Sequence, residues 1–188
     1  MRQGPCVLIM LLMAGAAPAT AQTVIRPAPP LDSARAAVRD ALLVLRDSLG
    51  TIGSAAARLQ RDYQEASGAA LLSRARSMQE ACTRSKITVP STREAVLETK
   101  VSEPQRVKQQ QELVGALDRL KNALTRCESE FTEMSRPGQS EVVRGYGNDK
   151  ATRLQQEVQR YERSLNEYLG VMGIRVTPAG AEAHPSSG

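Results

Sequence analysis

The stretch that decides the fold is residues 38–70, VRDALLVLRDSLGTIGSAAARLQRDYQEASGAA. Its apolar side chains alternate at spacings of four and three, the 3.5-residue average of a left-handed coiled coil. These positions are Val38, Leu42, Leu45, Leu49, Ile52, Ala56, Leu59, Tyr63, Ala66 and Ala70. The pattern predicts an amphipathic helix whose narrow apolar stripe, here called a seam, packs against another helix.

Two glycines interrupt this stretch, and each weakens a helix by up to about 1 kcal/mol. Gly50 and Gly53 either lie within one long, bent helix or mark a break into two helices. We favour one helix, because the seam keeps its phase through both glycines. Beyond Ala70 the seam shifts by one residue to Leu71, Ala75, Met78 and Cys82. We expect the first helix to end near Lys86, with a length of about 80 Å.

A second long helix is predicted from about Glu103 to Met134. Residues 87–91 contain Pro90 and β-branched residues and are predicted to be non-helical, followed by a short helix from Ser91 to about Lys100. The second seam is Leu113, Leu117, Leu120, Leu124, Cys127, Phe131 and Met134. Its upstream positions are Gln110 and Arg106, so the first turns are predicted to be looser or solvated.

A third long helix is predicted to begin at Asn148, after a glycine-containing loop at 137–147. Its seam is Leu154, Val158, Tyr161, Leu165, Tyr168 and Met172, and Gly170 or Gly173 ends it. Three apolar stripes require helical neighbours. The sequence therefore predicts an all-α fold, an elongated bundle of three long helices with coiled-coil-like packing, in a single domain at 31–176.

The first 21 residues are typical of a secretory signal peptide. Arg2 precedes a twelve-residue apolar run at 6–17, and Ala19-Thr20-Ala21 is a small-x-small cleavage site. We expect the mature chain to start at Gln22 and to be periplasmic or secreted; a retained membrane anchor is the alternative. Residues 22–30 are a proline-rich flexible leader, and the tail at 177–188 is predicted to be disordered.

Two cysteines, Cys82 and Cys127, remain after signal removal, and an oxidising compartment favours a disulfide between them. The alternative is two free thiols that serve as small apolar seam residues. If the first helix ended at Lys86, a tight hairpin would hold the cysteines about 35 Å apart. A disulfide would then require the two long helices to run parallel.

No residue pattern points to catalysis, a cofactor or a metal. The one histidine, His184, lies in the predicted tail, and no cluster has metal-ligand spacing. The pairs Arg126/Glu130 and Arg153/Glu157 are typical of surface neutralisation, and Gly145-Tyr146-Gly147 is interpreted as a turn. With 25 basic and 20 acidic residues, one Phe and no Trp, the chain offers neither a concentrated basic patch nor stacking platforms for nucleic acid.

These features lead us to expect a non-enzymatic structural or interaction protein of the bacterial cell envelope, acting through coiled-coil helices on an unidentified protein partner or on a second copy of itself. A periplasmic holdase-type chaperone is the alternative, suggested by a protruding first helix and a loose second one. Reversible lipid binding is a lesser alternative, since the seams are narrower than a lipid-facing surface.

Overall fold

The computed structural model describes residues 31–61 and 63–174. The elements of this part are α1 (Leu31–Gln60), α2 (Gly68–Glu98), α3 (Pro104–Met134), a short α4 (Ser140–Val142), a π-helical turn (Val143–Gly147) and α5 (Asn148–Met172). The all-α class is confirmed for these residues. The predicted signal peptide, leader and tail lie outside them. None of the described helices has the length and hydropathy needed to span a bilayer.

Four long helices pack together, each antiparallel to the one before it. Between α1 and α2, Ser85 Oγ donates to Ser48 O at 3.0 Å, and Thr92 Oγ1 donates to Ala41 O at 3.3 Å. The positions advance in opposite directions along the two helices, which defines an antiparallel pair. Lys150, near the start of α5, pairs with Glu130, near the end of α3, at 2.6 Å, and residues from the first half of α3 and the last part of α5 line one groove, so this pair is antiparallel too. The bundle therefore has four long helices, and the expectation of three was wrong.

The extra helix arises because the predicted first helix is divided at residues 61–67. α1 passes through Gly50 and Gly53 without a break, and a Cβ at either position would meet nothing within 4 Å. The chain turns instead after Gln60, and Ser67 caps α2 by accepting from Ala70 N at 3.3 Å. The prediction of a helix extending to Lys86 was wrong. The one-residue phase shift after Ala70 marked two separate helices, not a rotated face of one.

One arginine holds this turn in place. The Arg144 guanidinium donates to the backbone carbonyls of Tyr63 and Ala66, each at 2.9 Å, and also to that of Gln64. Arg144 belongs to the π-helical turn that leads directly into α5. The predicted loop at 137–147 is thus helical from Ser140 onward, and only the residues around Gly138, with φ 84°, form a turn.

α2 continues through Pro90, where the sequence pattern predicted a break and a new short helix. Proline removes one backbone donor and disfavours the helix interior. Neighbouring hydroxyls bond back to the helix here, Thr88 to Ser85 O at 2.8 Å and Ser91 to Thr88 O at 2.9 Å. Thr92 does the same, to Thr88 O at 3.0 Å. These hydroxyl bonds do not replace the lost backbone bond, so the buried Val89 and Val96 and the Thr92 bond to Ala41 O on α1 outweigh the loss at Pro90.

The longer α2 changes the position of the two cysteines. Cys82 and Cys127 form a disulfide with a Cα–Cα separation of 6.1 Å. Because α2 extends to Glu98, an ordinary antiparallel hairpin places the two cysteines opposite each other. The same hairpin brings Arg93 Nε within 2.9 Å of Asp118 Oδ1. The prediction that a disulfide needs parallel helices was wrong, since it rested on a helix end at Lys86.

The interior of the bundle is built from the apolar stripes. Of the seam residues, Tyr63, Ala66, Ala70 and Val158 are half-buried. The following seam residues are buried: Val38, Leu42, Leu45, Leu49, Ile52, Leu59, Leu113, Leu117, Leu120, Leu124, Phe131, Leu154, Tyr161, Leu165 and Tyr168. Within the described part of the chain, the apolar stripes thus face one another around a common core.

The start of α3 is held by a polar contact instead of an apolar stripe. Gln110 Nε2 donates to Val96 O at 2.6 Å and to Thr99 O at 2.7 Å. These carbonyls lie at the C-terminal end of α2, where the helix supplies no further donors; Val96 O also accepts from Thr99 N at 3.3 Å. Gln110 therefore caps α2 from the neighbouring helix. No side chain of residues 104–112 is buried, as expected for a solvated first stretch of α3.

Replacing Gln110 with alanine should leave both carbonyls without this donor and lower the free energy of unfolding by about 1–2 kcal/mol. Urea denaturation followed by circular dichroism measures the change. Gln111→Ala, at an exposed neighbour, is the matched control and should change stability by less than about 0.5 kcal/mol. Equal effects of the two substitutions would contradict the capping role.

Removing the disulfide should destabilise the bundle strongly. The bridge closes a loop with a sequence separation of 45 residues. For a loop of this size the chain-entropy relation gives about 4 kcal/mol at 25 °C. The double variant Cys82→Ala/Cys127→Ala should show this loss in urea, and a reductant should then have no further effect on it. A reductant-insensitive stability of the native chain would contradict the prediction.

Candidate functional site: the groove between α2 and α3

The described residues contain no group of three or more His, Cys, Asp or Glu side chains placed to hold a metal ion. His184 lies outside the described residues. The predicted absence of catalytic, cofactor and metal sites therefore stays a prediction, and the candidate site has to be sought among surface concavities.

A groove with a volume of about 580 Å³ lies between α2 and α3. Its lining residues are Val89, Pro90, Arg93, Glu94, Leu97, Glu98, Asp118 and Lys121. Val89 is buried at its base, and Leu97 is 49% exposed. A large aliphatic side chain left this exposed inside a concavity offers apolar surface that a ligand can cover.

The continuity of α2 through Pro90 creates this groove. Pro90, Glu94 and Leu97 follow one another at spacings of four and three, and so lie along one face of the helix. Arg93 Nε donates to Asp118 Oδ1 at 2.9 Å and ties that face to α3. Sequence reasoning missed the groove because it assigned residues 87–91 to a connection. The signal available was the helical spacing of Val89, Thr92 and Val96, all of which are buried.

The charge around the groove is only partly neutralised within the chain. Arg93 and Asp118 pair with each other. Glu94 and Glu98 are exposed, and neither has an ion-pair partner among the described residues. The rim therefore presents two unpaired carboxylates on α2 and the exposed Lys121 on α3, beside the apolar side chains of Leu97 and Pro90. Ile87, 67% exposed, extends the apolar surface of α2 about one turn further.

Two tyrosines of the α5 seam, Tyr161 and Tyr168, lie in the core and not in a groove. Both phenol oxygens are buried without a hydrogen-bond partner of good geometry in the described structure. Burial raises the pKa of Tyr161 well above its usual range, and the nearby Glu162 carboxylate adds to this effect. Burial also raises the pKa of Tyr168, although the adjacent Thr99 side chain partly offsets it. These side chains fill the core, and no described groove is lined by them.

Alkaline pH should destabilise the fold through these tyrosines. Their contribution is fully present below the ordinary tyrosine pKa of about 10 and is lost as the pH rises above it, because only the unfolded chain ionises readily there. Tyr161→Phe should weaken this pH dependence and raise stability at neutral pH by about 1 kcal/mol, since it removes an unpartnered buried hydroxyl. Urea denaturation at pH 7 and pH 11 tests both effects, with the exposed Tyr146→Phe as control. An unchanged pH dependence in Tyr161→Phe would contradict the assignment.

The α2–α3 groove combines apolar and charged side chains, an arrangement suited to binding. Its half-exposed leucine and unpaired carboxylates match the mixture of an apolar centre and a polar rim found at protein interfaces. Comparisons of the chain with family models, with curated proteins and with solved structures gave no match in any of the three.

Proposed function

We propose that this chain is an exported, non-enzymatic structural or interaction protein of the bacterial cell envelope, and that it binds a protein partner through the α2–α3 groove. The observation that carries the proposal is Leu97, half-exposed beside two unpaired carboxylates. The seams are already covered within the bundle, so the surface that is left for a partner lies in the grooves between helices.

The apolar and acidic side chains of the groove indicate what kind of partner segment it would bind. Leu97 and Pro90 favour an apolar side chain at the centre, where its burial removes apolar surface from water. Glu94 and Glu98 favour Lys or Arg side chains one helical turn apart on the partner, or at the corresponding spacing on an extended segment. We therefore infer a partner segment that carries an apolar anchor flanked by basic residues.

Two features support export. Residues 1–21 have the organisation of a signal peptide. The bundle also contains a disulfide, Cys82–Cys127, and disulfides persist mainly in oxidising compartments such as the periplasm and the cell exterior. On this basis the mature protein is periplasmic or secreted.

The 3.5-residue spacing of the seams further favours coiled-coil packing along an elongated bundle.

Neither alternative function gains support from the fold. The chaperone hypothesis relied on a protruding first helix, but α1 ends at Gln60 and folds back onto α2. It also relied on a loose start of α3, where Gln110 instead caps α2. Lipid binding would need a free apolar helix face, whereas the seam residues of the described helices are buried or half-buried.

The test is site-specific photo-crosslinking in the producing bacterium, with p-benzoylphenylalanine in place of Leu97. We expect one discrete crosslinked protein. Its yield should fall about fivefold or more when Glu94→Gln and Glu98→Gln are added, because both rim charges are then lost. Glu80→Gln is the matched control, since it removes an exposed carboxylate of the same helix that does not line the groove.

Other outcomes would contradict the proposal. Capture of many unrelated proteins would indicate a chaperone, and the absence of any crosslink at Leu97 would remove the groove as a binding surface. A crosslink only to a second copy of the chain would show a homo-oligomer instead of a separate partner. An equal loss of yield with Glu80→Gln would show that general surface charge, and not the groove, is responsible.

A further inference from the structure

A second groove, between α3 and α5, carries two arginines that the fold leaves unpaired. It has a volume of about 340 Å³, and Arg126, Lys150, Arg153, Glu130 and Glu157 supply its charged lining. Arg126 and Arg153 both have exposed side chains. This site is independent of the α2–α3 groove and of the function proposed for it.

The absence of partners for these arginines follows from how the fold distributes its carboxylates. Helical spacing predicted the pairs Arg126/Glu130 and Arg153/Glu157. Glu130 instead accepts from Lys150 Nζ across the helices at 2.6 Å, and Glu157 accepts from Arg160 Nη1 at 2.6 Å. Among the described residues, no carboxylate forms an ion pair with Arg126 or Arg153.

The two arginines also lie at the same level of the bundle. The Lys150–Glu130 pair sets the register of the antiparallel helices α3 and α5. In this register Arg126 is opposite Leu154, the residue that follows Arg153. Two positive charges on adjacent helices repel each other, so an anion between them would gain from both.

The walls around the arginines are firmly held. Cys127 lines the groove and is bridged to Cys82 on α2, so α3 is covalently fixed at this level. Ala123 and Leu154 supply an apolar base, and Gln156 adds an amide. Guanidinium groups match the planar edge of a carboxylate or phosphate and donate two parallel hydrogen bonds to it.

We propose that the α3–α5 groove binds a small oxyanion, the phosphate or carboxylate group of a ligand, between Arg126 and Arg153. The two carboxylates of the lining do not oppose this strongly, because each is already neutralised by an ion pair. The volume lies near the lower end of the range for small-molecule sites, which favours a ligand of few atoms over a bulky one.

The test is titration of the ¹⁵N-labelled processed protein with inorganic phosphate and, separately, with succinate, at constant ionic strength set by chloride. We expect saturable shifts of the amides around Ala123 and Arg153 with at least one of the two anions. A preference of about tenfold or more for phosphate or for succinate identifies the oxyanion class. Arg126→Gln and Arg153→Gln should each weaken binding about tenfold or more, because a charge-assisted contact is lost.

Arg163→Gln is the matched control, since it removes an exposed arginine of α5 that does not line the groove. It should change the affinity by less than about twofold, an effect of general charge. Circular dichroism checks that each variant keeps its helical content. Non-saturable shifts with both anions, or an equal loss of affinity with Arg163→Gln, would overturn the proposal.

Discussion

The continuity of α2 through Pro90 is the constraint on which the rest of the structure depends. Had the helix ended at Lys86, the chain would have had no antiparallel α2–α3 hairpin with its cysteines level. Proline costs a helix interior about 3 kcal/mol, so the continuation has to be stabilised by other contacts. The buried Val89 and Val96 and the bond from Thr92 to Ala41 O on α1 provide them.

The same continuity positions both grooves. In the α2–α3 groove it places Leu97 and Glu94 on one helix face, with Arg93 tied to Asp118 across the boundary. It also sets where the disulfide forms, and the disulfide in turn holds α3 at the level of the α3–α5 groove. Near the bridge, Lys86 and Thr83 donate to the Glu128 carboxylate and lower its pKa. These contacts add a polar link between α2 and α3 beside the covalent one.

Apolar periodicity predicted the helical class, and breaker and capping residues predicted the end of α3 at Met134 and the start of α5 at Asn148. It misplaced the boundaries of α2. Apolar spacing shows on which helix face a stripe lies, but it does not show whether the chain continues or turns back. The shift after Ala70 was compatible with a rotated helix face or with a turn, and only contacts such as Arg144 to Ala66 O distinguish them. Spacing failed to identify the groove residues for a related reason. Pro90 disfavours the interior of a helix locally, but tertiary packing overrides this preference. The carboxylate partners of Lys150 and Arg160 likewise depend on neighbours that spacing within one helix cannot show.

The disulfide also determines how the bundle responds to a cut in the backbone. The connection between α2 and α3 at residues 99–103 lies inside the loop that Cys82 and Cys127 close, so cleavage there leaves the two fragments covalently joined. Cleavage at residues 61–67 lies outside that loop and would leave α1 attached only by packing and hydrogen bonds. Cleavage of these two connections therefore has different results. A protease acting at residues 99–103 yields a nicked bundle, and one acting at residues 61–67 can release α1.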